Sequence, residues 1–226
     1  MMMFLAHTGH LQFAGLLSGC LAWILTMAAT GMDEWRLWYI HHENYTAIIT
    51  SGVAWVGIWR ACFHSHALPK MENCQNMGIS DSFVPVEIQV AQVLMMLATV
   101  GGLAANATAV EAVRRVYFSM EVRRRLRAVF ILAGALYIVT GVLALVPLVW
   151  NTNAVVNNNS VPFPPRFMLP AIPASQKVGT GIGVGFTAAI LMVISGLLFL
   201  AHRHVWRTLK PEESEDKQGR DNPAFQ

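Results

Sequence analysis

The chain has 226 residues, 54% of them hydrophobic and only 13% charged, with a mean hydropathy of +0.45 and a formal net charge of +3. A soluble domain of this size carries about 25% charged residues, so the composition argues against an ordinary soluble fold and for a membrane protein. Three cysteines cannot all pair with one another, so the sequence predicts one disulfide and one free thiol.

Four apolar runs reach the length of about 20 residues that a helix needs to cross a bilayer. They cover about 11–29, 86–109, 128–150 and 178–201, the second with Glu87 near its start. Each is apolar all round, so lipid or neighbouring helices must surround it. Residues 1–10 hold no lysine or arginine and no small-residue cleavage site, so the first run is expected to stay as an uncleaved anchor. The 110–127 connection is rich in arginine, with Arg114, Arg115, Arg123, Arg124, Arg125 and Arg127. Arg203, Arg207 and Lys210 follow the fourth run. The positive-inside rule places both stretches in the cytoplasm. The connections 31–83 and 151–177 then face outward, where Cys62 and Cys74 meet oxidising conditions and Cys20 stays within an apolar run.

The first outer connection alternates aromatic and polar positions. Residues 34–41 read as a strand, 46–56 as one or two more, and 58–66 as another. Asp81-Ser82 can cap a short helix, and Pro85 suits the first turn of the second span. Prolines at 164, 165, 170 and 173 rule out a continuous helix through the second connection, and Phe163, Phe167 and Met168 read as exposed apolar residues there. Sequons stand at Asn44 and Asn158 on the outer side, while the one at Asn106 falls at the inner membrane face. Residues 202–226 read as a disordered cytoplasmic tail.

Cys62 and Cys74 would close a loop of about a dozen residues, worth roughly 3 kcal/mol by chain entropy. Zinc held by Cys62, His64, His66 and Cys74 is the alternative. No nucleotide loop, carboxylate pair placed for acid–base work or nucleophile beside a base stands out, so no enzyme, cofactor or nucleic-acid partner is expected. Paired small residues, such as Gly15 with Gly19 and Gly181 with Gly185, predict close helix packing within the bundle, with an intermolecular seam as the alternative.

Trp35, the triplet Gly57-Ile58-Trp59, Cys62 and Cys74 together resemble the signature of the claudin family. The run from Phe167 to Lys177, with Pro170, Pro173 and Gln176 in place, resembles that family's second extracellular loop, and the likeness covers about residues 8–201. The resemblance implies a left-handed four-helix transmembrane bundle carrying a small extracellular antiparallel β-sheet. It also implies adhesion at tight junctions, with the protein itself and other claudins as partners in cis and trans, and contacts across the intercellular gap at Phe167, Met168 and Pro170. The chain departs from the family at Gln92, where arginine is usual, and at Gly179, Gly185 and Ala188. The cysteines usual after the fourth span are absent, and the terminus Ala224-Phe225-Gln226 does not suit a PDZ groove. Gln75-Asn76 carry no charge where conducting relatives set selectivity, so a barrier fits better than a selective channel. A non-junctional auxiliary or myelin-type protein of the wider superfamily is the second reading. Histidines 41, 42, 64 and 66 offer pH-sensitive contacts, though scattered surface histidine is the simpler account. Membrane lipid is expected as a partner of the basic inner face.

Overall fold

The structure, a computed structural model, describes residues 2–41, 51–64, 72–118, 123–167 and 172–208. Four helices, α1 (Met2–Gly31), α2 (Val86–Phe118), α3 (Arg123–Val156) and α4 (Thr180–Thr208), form a closed bundle in which α2 meets α3, α3 meets α4, and α1 meets both α4 and α2. Their apolar spans are Leu11–Gly31, Val86–Arg115, Leu126–Val156 and Thr180–Ala201. The helices outrun the expected boundaries. Thirty-four residues of α3 rise about 51 Å, more than a hydrocarbon core of about 30 Å requires, so the helix is longer than a bare span. Residues 202–208, expected as tail, continue α4 instead.

The glycines serve packing within the bundle. A Cβ at Gly101 would stand 2.8 Å from Thr140 Oγ1 of α3, and one at Gly185 would stand 2.5 Å from Leu148 Cδ2. Gly15 abuts Leu198 and Phe199 of α4, and Gly19 lies against the Tyr137 ring. Facing apolar residues therefore close on one another inside one chain, in agreement with the intramolecular use of the small residues.

At one end of the bundle lies a five-stranded antiparallel sheet in the order β4-β3-β2-β1-β5. Its strands are β1 (Arg36–His41), β2 (Ser51–Val56), β3 (Arg60–His64), β4 (Glu72–Asn76) and β5 (Ser175–Val178). The first three match the expected strands, with β3 beginning at Arg60 because Gly57-Ile58-Trp59 forms the turn from β2. β4 and β5 were not expected. Both are polar and lack a period-2 apolar pattern, and pairing alone makes them strands: β4 with β3, β5 with β1. Val178, assigned by sequence to the fourth span, ends β5. Asp81-Ser82 caps no helix; the Asp81 carboxylate instead accepts the Gly78 N–H at 2.8 Å and closes a turn before α2.

Candidate adhesion site at the sheet end of the bundle

The tryptophan and cysteine signature builds the joint between sheet and bundle. Trp35 is buried and donates its indole N–H to Ala29 O at the end of α1, at 2.8 Å. Gly57 is needed for space: a Cβ there would lie 2.8 Å from Asp33 Cα, while its N–H is held by Arg60 O at 2.9 Å. Ile58 is buried beside it, and Trp59 packs partly against the same core. Cys62 and Cys74 face each other across β3 and β4 and are joined as a disulfide. That bond removes both sulfurs from the zinc alternative. Cys20 is free, as expected.

Gln92 explains one departure from the family pattern. It is fully buried in α2, and its Nε2 donates to Ile58 O at 2.6 Å and to Met77 O at 3.0 Å. One neutral amide thus ties the signature turn and the end of β4 to the second helix. Gly179 explains another, since any Cβ would meet Glu34 O at 2.1 Å.

The second connection is folded inward. Phe163 and Phe167, expected as exposed, are buried, and Phe167 has no exposure at all. Their rings stack on each other at 5.4 Å, Phe163 leans on Trp38 at 5.3 Å, and Phe167 meets Phe83 edge-on at 5.2 Å. The prolines set this arrangement: a 3-10 turn at Pro165–Phe167, closed by the Phe167 N–H on Pro164 O, aims the ring at the core. Burial rewards each aromatic ring more than any solvated position could. Ile172 is the apolar residue left exposed nearby, at 69%. Met168, Pro170 and Asn44 lie outside the described residues, as do His42 and His66. Asn158 is exposed in the turn that ends α3, with a left-handed φ of 52° that asparagine tolerates.

A buried polar cluster went unnoticed in the sequence. Arg36, fully buried on the inner face of β1, donates to Asn151 Oδ1 of α3 at 2.6 Å and lies 3.5 Å from Glu87 Oε1 of α2. Asn151 in turn donates to Glu87 O and Pro147 O. Burial pushes the guanidinium below its ordinary pKa, and Glu87 offsets part of that. The available signal was alternation, which puts Arg36 on the same strand face as Trp38 and Ile40.

The opposite face of the sheet, turned from the bundle, is apolar in its middle. Leu37 pairs with Trp55 and Tyr39 with Val53, and Trp55 pairs onward with Cys62. A one-sided antiparallel sheet normally shows a polar outer face. Among the described side chains of this face, charge stands at the rim, where Lys177 sits 5.2 Å from the Tyr39 ring centre and Arg60 binds Asp33 at 2.7 Å. That hydrogen bond raises the Arg60 guanidinium above its ordinary pKa.

Four membrane-crossing helices under a stapled five-stranded sheet define a multi-pass membrane protein of the claudin fold. The family model described as PMP-22/EMP/MP20/Claudin tight junction matches residues 20–201, and the chain belongs to that family. It is 26% identical to claudin-3 of Rattus norvegicus over 83% of this chain and 80% of the relative. It is 25% identical to claudin-8 of Mus musculus over 85% and 80%. It is 24% identical to claudin-4 of Bos taurus over 95% and 96%.

Proposed function

We propose that the chain is an adhesion protein of tight junctions that seals the space between cells through its sheet end. The observation that carries this is the apolar middle of the sheet's outer face, Leu37, Tyr39, Val53 and Trp55, on a chain otherwise built like its claudin relatives. Such a surface is costly to leave against water and gains by closing on another protein. The sheet end faces outward in this reading, because its disulfide suits an oxidising compartment and the arginines at the other end suit the cytoplasm. Partners are the protein itself and other claudins, side by side and across the gap.

Contact across the gap falls to the tip of the second connection. Phe167 is buried and anchors the connection, Ile172 is exposed beside it, and Met168 and Pro170 are the further apolar residues of that stretch in sequence. Asn44 and Asn158 are the candidate glycan acceptors on the same side. Sealing, in place of ion selection, follows from the lack of charge in the middle of the outer face.

The test is expression in cells that lack junctions, then in an epithelial monolayer. Enrichment at cell borders, with raised electrical resistance and an unchanged cation-to-anion permeability ratio, is expected. Normal surface delivery without border enrichment, together with co-purification of a channel subunit, would favour the auxiliary reading.

A further inference from the structure

The inward face of the β1–β5 edge holds four buried polar atoms that pair with nothing among the described residues. Arg36 and Trp38, two residues apart on β1, share that face and are fully buried. Gln176 of β5 stands directly opposite Trp38 in the ladder, a position that brings side chains on one face into reach of each other. The unpaired atoms are Arg36 Nε, Arg36 Nη1, Trp38 Nε1 and Gln176 Oε1. What remains of these groups is committed: Arg36 Nη2 to Asn151 and Glu87, and Gln176 Nε2 to Asn159 O at 2.7 Å. Buried polar atoms are as a rule met by protein or by ordered water, so four on so short an edge call for a further group.

The surroundings would hold such a group in place. At the Arg36 end stand Asn151 of α3 and Glu87 of α2, both buried. At the Trp38 end stands the second connection. The Phe163 ring lies 5.3 Å from the Trp38 ring, Val161 is buried, and Asn159 O accepts from the Gln176 amide. Two strands, two helices and the second connection thus meet around the unpaired atoms.

The mixture of donors and acceptor says what the group is. The nitrogens of Arg36 and Trp38 can only donate, and the Gln176 oxygen can only accept. Donors alone would suit an anion such as chloride. Two observations favour a neutral ligand instead. Gln176 Oε1 needs a hydrogen, and chloride has none to give. Arg36 already has Glu87 as its counter-charge, so an anion would leave a surplus negative charge buried, which is costly. A water molecule accepts from the nitrogens and donates to the amide oxygen, and internal waters typically make about three such bonds.

We infer that the joint between the β1–β5 edge and the bundle is a water-binding site, in which ordered water bridges Arg36 and Trp38 to Gln176. Water then ties the second connection to the sheet, since Gln176 and Trp38 are also its contacts. The inference does not depend on the junctional role. The test uses the full chain in detergent micelles, with isotopically labelled nitrogen in its tryptophan and arginine side chains. Trp38→Phe identifies the Trp38 indole signal among the seven tryptophans. Paired laboratory-frame and rotating-frame Overhauser spectra distinguish a held water from a passing one and from proton exchange. A held-water cross-peak is expected at the Trp38 Nε1–H and at the Arg36 Nε–H. Gln176→Leu removes the acceptor and should abolish the Trp38 cross-peak, whereas Gln176→Glu keeps an acceptor oxygen and should retain it. Should Gln176→Leu fail to fold, the Arg36 cross-peak of the unaltered chain is the second reading. Absence of a held-water cross-peak at either group, or an undiminished Trp38 cross-peak in folded Gln176→Leu, would overturn the inference. A Trp38 signal that shifts as chloride replaces gluconate, with no water cross-peak, would overturn it in favour of an anion.

Discussion

The amide of Gln92 has no exposure to solvent and gives its N–H groups to two main-chain carbonyls, Ile58 O and Met77 O. An unpaired buried carbonyl costs about 1–3 kcal/mol, so Gln92→Met should lower stability by roughly 2–6 kcal/mol through the two lost bonds. Gln92→Glu should be worse despite its matching shape, since a carboxylate would face the two carbonyls with acceptors only. Thermal unfolding followed by size exclusion in detergent checks the order: wild type, then methionine, then glutamate. Two glycines offer a matched contrast. Gly179→Ala drives a Cβ into the Glu34 carbonyl, which is backbone and cannot swing away, whereas Gly183→Ala meets nothing within 4 Å. The first should strongly reduce the folded yield. The second, on an exposed helical turn, should be neutral or stabilise by up to about 1 kcal/mol. The sequence showed Gln92 and Gly179 as departures from the family pattern but not their purpose, because each is explained by carbonyls from a distant segment that no local pattern reveals.

Between elements, the strongest tie of the sheet to the bundle runs from β1 through Arg36 to α3 and α2. The 2.6 Å bond to Asn151 is the tighter contact, and the 3.5 Å approach of Glu87 mainly supplies counter-charge. Arg36 is the deeper of the two charges, with its side chain 1% exposed against 11% for Glu87. Removing Glu87 therefore strands the more buried partner. Loss of one member of a buried pair costs about 3–5 kcal/mol, so Glu87→Gln should destabilise more than Arg36→Met. The double variant should cost less than the sum of the two, as a double-mutant cycle on unfolding would read. Legibility at this scale followed local pattern. The four spans and the strands containing Trp38 and Trp55 announce themselves by apolar runs or alternation. β5, Ser175–Val178, has no such mark. Its four residues are strand because Leu37 and Trp38 of β1 present an edge to Lys177 and Gln176. Phe163 and Phe167 were misplaced for the same reason: prolines around them signal a loop, and only the assembled core of Trp38 and Phe83 shows which way the rings turn.

For the whole molecule, the question is how far the sheet and the bundle stand or fall together. Of the five strands, β1 is fixed by Arg36 and the Trp35 joint, and β5 continues within two residues into α4. The far edge is held less firmly: β4 rests on β3, the Met77 N–H bond to Trp59 O, the Gln92 amide and the disulfide. A loop of about a dozen residues gives the disulfide roughly 3 kcal/mol by restraint of the unfolded chain, and that contribution acts on the β3–β4 edge alone. C62S/C74S should therefore leave the helical circular dichroism and the bundle's melting nearly unchanged, because the lipid-facing spans do not need the sheet to stay inserted. Hydrogen exchange should rise across residues 60–64 and 72–77 and remain protected in β1 and along α2. Border enrichment in cells should fall with it, since the outer apolar face loses its β3–β4 side while its Leu37–Trp55 centre persists. A variant that unfolds the bundle as well would show one cooperative unit; a variant that exchanges rapidly only at β3 and β4 would show that the disulfide secures the stapled edge while the helices fold without it.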